Sequence, residues 1–541
     1  METPKYNLLH EPWIPCELSG GSTVKLGLWD VLARAHEIIE IYDPSPLVTT
    51  SLHRLLIVLM YRCVPASSDE DFDSNWKTLW ESPTLPTGNI ERYFAQWSER
   101  FSLFDENYPF YQTPSLSVVQ EDKQGNLQEH PDSIFRLHND TPDVALSYLF
   151  EHRQLSQDSV VIPVDEAARL LVATQSYGIS CSQSGRYTFN GETKHDPGGR
   201  QNGLLYTGLV CWLAGQSLKE TLLLNWTRYV CPELDMPCWE RNDYAASITS
   251  SQGKGNEHIP RGMLDRFTWQ ARMARLIPTY QYGNLAVSQI HFTQGRQARK
   301  AVIRDEMQFY IRDSKGEVES VLQLRRDKAG WRNIHSLLLF SSLKQNDTRP
   351  AVIRQVSERI EYGELNVNTR RYLQLHVTGH SNDKAKTVLW RHDFQAIPVR
   401  LIADPNLSML LGRLMSEAED MSNILQRKTE KLCQVFLCPK YFDMDGEPIN
   451  KPPERKKWES LSRCIDPRPA YWARLESVFQ RLLLHIADDE GDASEVWRKA
   501  LDNQARIAFS EAASQLGDSV RAIKAEALAS VKTKTRKGRT A

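Results

Sequence analysis

The stretch LIADPNLSMLLGRLMSEAEDMSNIL, residues 401–425, marks where the chain changes character. Leu407, Leu410, Leu411 and Leu414, then Ala418, Met421 and Leu425, recur three and four residues apart, which draws one apolar stripe along an α-helix. Leu475, Val478, Phe479, Leu482, Leu483 and Ile486 repeat that spacing, and further helical stretches begin at Leu432 and run from 496 to 531. Apolar stripes have to bury against one another, so residues 401–541 are expected to form a bundle of about four helices. The closing KTKTRKGRTA, residues 532–541, carries basic residues and no acid, and reads either as a solvated terminus or as a source of phosphate contacts.

Upstream of 401 the pattern is mixed. Short β-rich runs, IHFTQG at 290–295, MQFYIRD at 307–313 and LQLHV at 373–377, are interleaved with a helical piece at 350–362. Helices are also expected at 46–63, where Leu52, Leu55, Leu56 and Leu59 share a face, and at 165–178, where Asp165 sits near the amino end and Gly178 at the close. Residues 118–160 read as an extended, loop-rich segment. The run CSQSGRYTFNGETKHDPGGRQNG, 181–203, is so crowded with Gly, Ser, Asn and Asp that regular structure is not expected before Leu204. The fold class is therefore α+β: a large mixed amino-terminal domain over 1–400, then a carboxy-terminal four-helix bundle over 401–541.

Composition excludes several classes. The 541 residues carry 66 Lys and Arg against 68 Asp and Glu, so any nucleic-acid surface must be a local patch. The start, METPKYNLLHEPW, has no basic and apolar leader pattern, and the most apolar stretches, 55–60 and 204–215, fall short of the ~20 residues a membrane helix needs. Nine cysteines without a dense framework fit reduced thiols in the cytoplasm, with no membrane association. Cys231/Cys238 and Cys433/Cys438 lack the spacing with which two thiolates grip zinc, so neither a metal nor another cofactor is expected.

Six segments, NLLHEPWIPC at 7–16, YPFYQTP at 108–114, DEAARLLVATQSYG at 165–178, GQSLKETLLLNW at 215–226, DRFTWQARMARLIP at 265–278 and NDKAKTVLWRHD at 382–393, together resemble the CasA-type large subunit of the type I-E CRISPR Cascade complex. They occur in the family's order and span most of 6–393. The resemblance implies a non-catalytic protein that binds double-stranded DNA, reads a protospacer-adjacent motif through the minor groove and starts strand separation. A guide RNA held by other subunits then supplies most of the sequence specificity. Implied partners are the crRNA, the small subunit, the backbone subunits, the subunit that binds the crRNA 5′ handle, and a helicase-nuclease that this chain helps recruit.

That task needs three kinds of group. The first is cations that hold phosphates. Arg261, Arg266, Arg272 and Arg275 fall around one expected helix, and Arg296, Arg299, Lys300 and Arg304 form a polar run; each alone also reads as an ordinary solvated charge. The second is small residues that approach base edges in the narrow groove. Pro197, Gly198 and Gly199 match the family's glycine loop, with proline at one glycine position, and by composition alone they are a flexible turn. A family lysine that enters the same groove would fall between Phe292 and Arg304, with Lys300 the first choice and Arg296 or Arg299 in reserve.

The third is a wedge pushed into the base stack. Asn382, Asp383, Lys384, Ala385 and Lys386 match the family's wedge hairpin, Lys384 taking a position often held by glutamine. Without the resemblance the segment is an exposed turn. Phe150, Glu151 and His152 look like the family's first-loop residues, which contact the crRNA 5′ end and a backbone subunit; Phe150 alone could equally anchor its loop in the core. A competing enzyme reading is a metal-dependent nuclease or phosphohydrolase centred on His392 and Asp393, and a third is a helical scaffold. QGKGNE at 252–257 lacks the lysine-serine ending of a phosphate loop.

Overall fold

The computed structural model describes residues 4–138, 161–179, 185–196, 202–206, 208–244, 247–248, 257–299, 304–312, 319–325, 328, 330–333, 349–366, 371–383, 386–488 and 490–530. The chain divides into two compact units. One comprises residues 1–330 and 343–396, the other 331–342 and 397–541.

The larger unit begins with a three-stranded antiparallel sheet, β1 (Ile14–Leu18) between β2 (Thr23–Leu26) and β3 (Ile38–Ile41), in which Cys16 faces Val24 on one side and Ile41 on the other. Helix α1 (Pro46–Cys63) follows, with the span its leucine spacing indicates. Proline suits its first turn, and apart from Arg62 every residue of the helix is buried, as expected of a helix apolar nearly all round. The exceptions to apolarity are held internally: Arg54 makes two 2.8 Å bonds to the Asp305 carboxylate.

Residues 117–129 and 185–196 together form a four-stranded sheet, in the order β5 (Leu127–Glu129), β4 (Ser117–Glu121), β6 (Gly185–Phe189), β7 (Glu192–Asp196). This corrects the expectation of no regular structure between 181 and 203. Asn190 and Gly191 both have positive φ, 50° and 78°, the pairing that lets a two-residue turn match strand twist. The Asn-Gly signal was present in the sequence but was obscured by the polar residues around it. Helix α2 (Val164–Tyr177) lies between the two halves of this sheet in sequence, and its acids Asp165 and Glu166 occupy its first turn.

A second correction concerns 261–281. Of the arginines expected around one helix, Arg266 lies in a five-residue helix, α3 (Met263–Phe267), Arg272 and Arg275 lie in a ten-residue strand, β9 (Arg272–Gln281), and Arg261 precedes both. Strand β9 pairs along its length with β10 (Asn284–Gln294), across a turn where Tyr282 and Gly283 take φ of 51° and 82°. Ladder hydrogen bonds from a ready partner outweigh weak local helix preference. The last sheet has the order β8 (Val210–Ala214), β11 (Tyr372–Asp383), β12 (Lys386–Pro398), with Trp212 opposite His376 in the β8–β11 register.

In the second unit, α4 (Pro405–Leu437) is one continuous helix of 33 residues that absorbs the stretch expected to begin anew at Leu432. Asp404 caps it by accepting from the Asn406 amide at 2.8 Å. The stretch from 496 on instead splits into α6 (Glu490–Ser514) and α7 (Val520–Ser530), separated at Gly517, whose φ is +80°. With α5 (Arg468–Asp488) the total is again four packed helices, joined by a shorter one at Arg455–Cys464. Leu407, Leu411, Leu414, Ala418, Leu425 and Leu432 form the buried stripe of α4, each large side chain contributing roughly 1.5–3 kcal/mol by leaving water. Buried polar tips find backbone or hydroxyl partners: Trp497 donates to the Leu414 carbonyl at 2.8 Å, and Trp472 to Ser422 at 3.2 Å. One element is absent from the sequence reading. Trp331 packs on Phe479 (4.8 Å between ring centres), and Arg332 lies over Trp472 and bonds Glu419 at 2.9 Å. Among the described residues, no helix is long and apolar enough to cross a membrane.

Candidate nucleic-acid interface

The segment singled out as a wedge occupies the end of a two-stranded ribbon. Asn382 and Asp383 finish β11, Lys386 begins β12, and Lys384 and Ala385 between them lie outside the described residues. The ribbon's root is firm. Thr378 is fully buried, and its hydroxyl meets that of Thr50 on α1 at 2.9 Å. From that anchor to Asp383 the strand advances roughly 17 Å at the usual rise per residue.

The glycine loop, Pro197, Gly198 and Gly199, lies outside the described residues, as do Lys300 and the first-loop residues Phe150, Glu151 and His152. The strand that leads into the glycine loop is described: β7 ends at Asp196, in register with Gly185.

The structure separates the candidate cations. Arg296 is 2% exposed, bonded to Asp265 at 2.6 Å and stacked over Trp269, so it is built into the interior and removed from contention as a groove reader. Arg241 meets the same carboxylate at 3.3 Å. Arg266 is ion-paired with Asp305 and Glu306, and Arg272 is also buried, its guanidinium donating to the carbonyls of Ala271 and Ile179. Arg299 is exposed, its backbone amide bonded to the His258 carbonyl, and Arg261 is exposed as well. Sequence reasoning read the basic run without its acids: Asp265 within it and Asp305 and Glu306 just after it pair with its arginines, and they were the available signal.

His392 belongs to an aromatic cluster. Its Nε2 lies 2.8 Å from Nδ1 of His376, and Trp212 stacks on both rings as well as on His53. Among the described residues no three His, Cys, Asp or Glu side chains are placed to hold a metal. The cysteines among the described residues are all unpaired thiols.

The match to a crystal structure of Thermus thermophilus CasA covers 97% of this chain and 98% of that one, with a TM-score of 0.74 and 24% identity. A chain of a structure described as a CRISPR RNA-guided surveillance complex matches at a TM-score of 0.73 and 19% identity, covering 97% of this chain and 99% of that one. A curated relative, CRISPR-associated protein CasA/Cse1 of Thermus thermophilus, is 26% identical over 522 residues, 96% of this chain and 95% of the relative. The family model described as CRISPR-associated protein Cse1 matches residues 7–508, and the chain belongs to that family.

Proposed function

We propose that this subunit grips a DNA duplex from its minor-groove side, reads the protospacer-adjacent motif there and pries the first base pairs apart, so that the crRNA can pair and form an R-loop. Lys384, flanked by Asp383 and Ala385, acts as the wedge, with Asn382 and Lys386 supporting it. Pro197, Gly198 and Gly199 approach base edges, and Lys300, with exposed Arg299 in reserve, enters the groove. Unstacking a step costs a few kcal/mol, so the wedge must not yield when it is pushed. What supports the reading is the ribbon's construction: at Asp383, its last described residue on this strand, it has run some 17 Å beyond a residue locked to the buried helix α1. Phe150, Glu151 and His152 contact the crRNA 5′ end and a backbone subunit, and the opened complex recruits a helicase-nuclease. The work is done in the cytoplasm and without catalysis by this chain.

The test is a gel shift of the assembled complex carrying Lys384→Glu and Lys300→Glu, run over duplexes that differ only in the motif. Weakened binding and a flattened motif preference are expected. Unchanged affinity and preference would reduce the chain to a scaffold. Cleavage of DNA by the purified chain with a divalent metal, lost on substituting His392, would replace the reading with the nuclease one.

A further inference from the structure

A cavity of about 440 Å³ opens at the root of the β11–β12 ribbon, well away from its tip. Its floor is the stack of Trp212 with His53, His376 and His392, at ring separations of 5.3, 4.9 and 5.6 Å. Its mouth carries Tyr42, Trp390 and Phe394, which are 58%, 37% and 64% exposed. A set of exposed aromatic rings around a hollow is costly on a free surface and typical of a surface that is covered.

The charges are one-sided. Among the described residues, Glu40 and Asp43 line the cavity and no lysine or arginine does. Asp43 is already neutralised by Arg169 at 2.8 Å. Glu40 is not: it stands directly opposite Glu17 in the β1–β3 register, and among the described residues neither forms an ion pair. Like charges face to face across a ladder are destabilising unless a cation offsets them. The floor holds a second unmet demand. His376 is 7% exposed, its Nδ1 is engaged by His392, and its Nε2 has no partner among the described residues.

We propose that this cavity receives the guanidinium of an arginine presented by a second protein chain. A guanidinium is flat and delocalised, so it stacks on Trp and Phe faces, and its fork of N–H donors can serve the Glu40 carboxylate and a ring nitrogen at once. Burial, and then the neighbouring His392, push the His376 pKa down to about 3, so that ring remains neutral and does not repel a cation at physiological pH. A nucleotide would bring its phosphate to a rim of carboxylates where, among the described residues, no lysine or arginine lines the cavity to receive it.

The full-length chain is titrated with N-acetyl-argininamide, with N-acetyl-lysinamide and with adenosine 5′-monophosphate, followed by NMR. Wild type is compared with Trp390→Ala and Glu40→Gln, both at exposed positions that the fold should tolerate. Saturable binding of the argininamide, tighter than the lysinamide, and weakened about tenfold by Trp390→Ala and also by Glu40→Gln supports the proposal. No saturation with wild type, equal binding by both variants, or tighter binding of the nucleotide than of the argininamide overturns it.

Discussion

Arg296 and Arg299 stand three residues apart in one basic run, and the fold treats them as opposites. Arg296 is sealed against Asp265, Tyr244 and Trp269; Arg299 faces solvent. The same division separates Arg266 and Arg272, which belong to the interior, from Arg261. A positive charge in this sequence is thus informative about nucleic acid only after its carboxylate has been looked for. Buried charge pairs are expensive to assemble and more expensive to leave half made.

The largest effect should follow from removing the shared carboxylate. Asp265→Ala strands Arg296, leaves Arg241 only the exposed Asp243, and is expected to cost about 3–5 kcal/mol, read as a lower urea midpoint. A loss below about 1 kcal/mol would mean that these arginines do not depend on the interior acid.

Acid should weaken the same unit in two stages. Burial lowers His53 to about 4, His291 to about 4 and His380 to about 4, and His376 further. In the unfolded chain such rings protonate near ~6.5. As pH falls, the unfolded state therefore takes up protons first; stability is full above that value and declines toward pH 4. Asp305 extends the decline. Burial alone would raise its pKa, but Arg54 and then Arg266 outweigh burial and hold it below the ordinary carboxylate range. Its contribution is present above an unfolded value of ~3.9 and lost as pH falls further. Urea midpoints at several pH values test this, and a midpoint unchanged from pH 7.5 to 4.5 would refute it.

Smaller effects belong to the surface. Gly191→Ala puts a side chain at φ 78° in otherwise open space, so only backbone strain of about 1–2 kcal/mol is expected, measured as faster amide exchange in β6 and β7. Arg299→Ala should change stability by no more than about 0.5 kcal/mol. In the assembled complex, however, it should reduce the slope of log K against log salt by about 1 if Arg299 meets a phosphate. A shallow slope for Arg299→Ala beside a normal one for a folded Arg296→Lys would sharpen the contrast, and the reverse would break it.

Helices were legible wherever apolar spacing is sufficient to specify them. Residues 46–63 and 164–177 are apolar over most of their surface, and α4 keeps its stripe for 33 residues. Strands were harder, because β9 and β7 are held by partners on neighbouring strands rather than by their own composition. The position of Trp331 and Arg332 in the helical unit depends on contacts with residues far downstream, which no local window contains. For the site, the order of the six segments led to the Cse1 family, and the wedge segment falls at a ribbon end. The depth of Arg296 was not legible, since its partner Asp265 is brought to it by the β9–β10 pairing.

Trp331 and Arg332 leave the ribosome before any helix they pack against has been synthesised. Until α5 emerges, an indole and a guanidinium destined for the bundle must wait in solvent, so the helical unit can close only near the end of translation. A gene fragment starting at Ile397 would make every helix of the bundle and still lack this plug, removing Trp331 from Phe479 and Arg332 from Trp472 and Glu419.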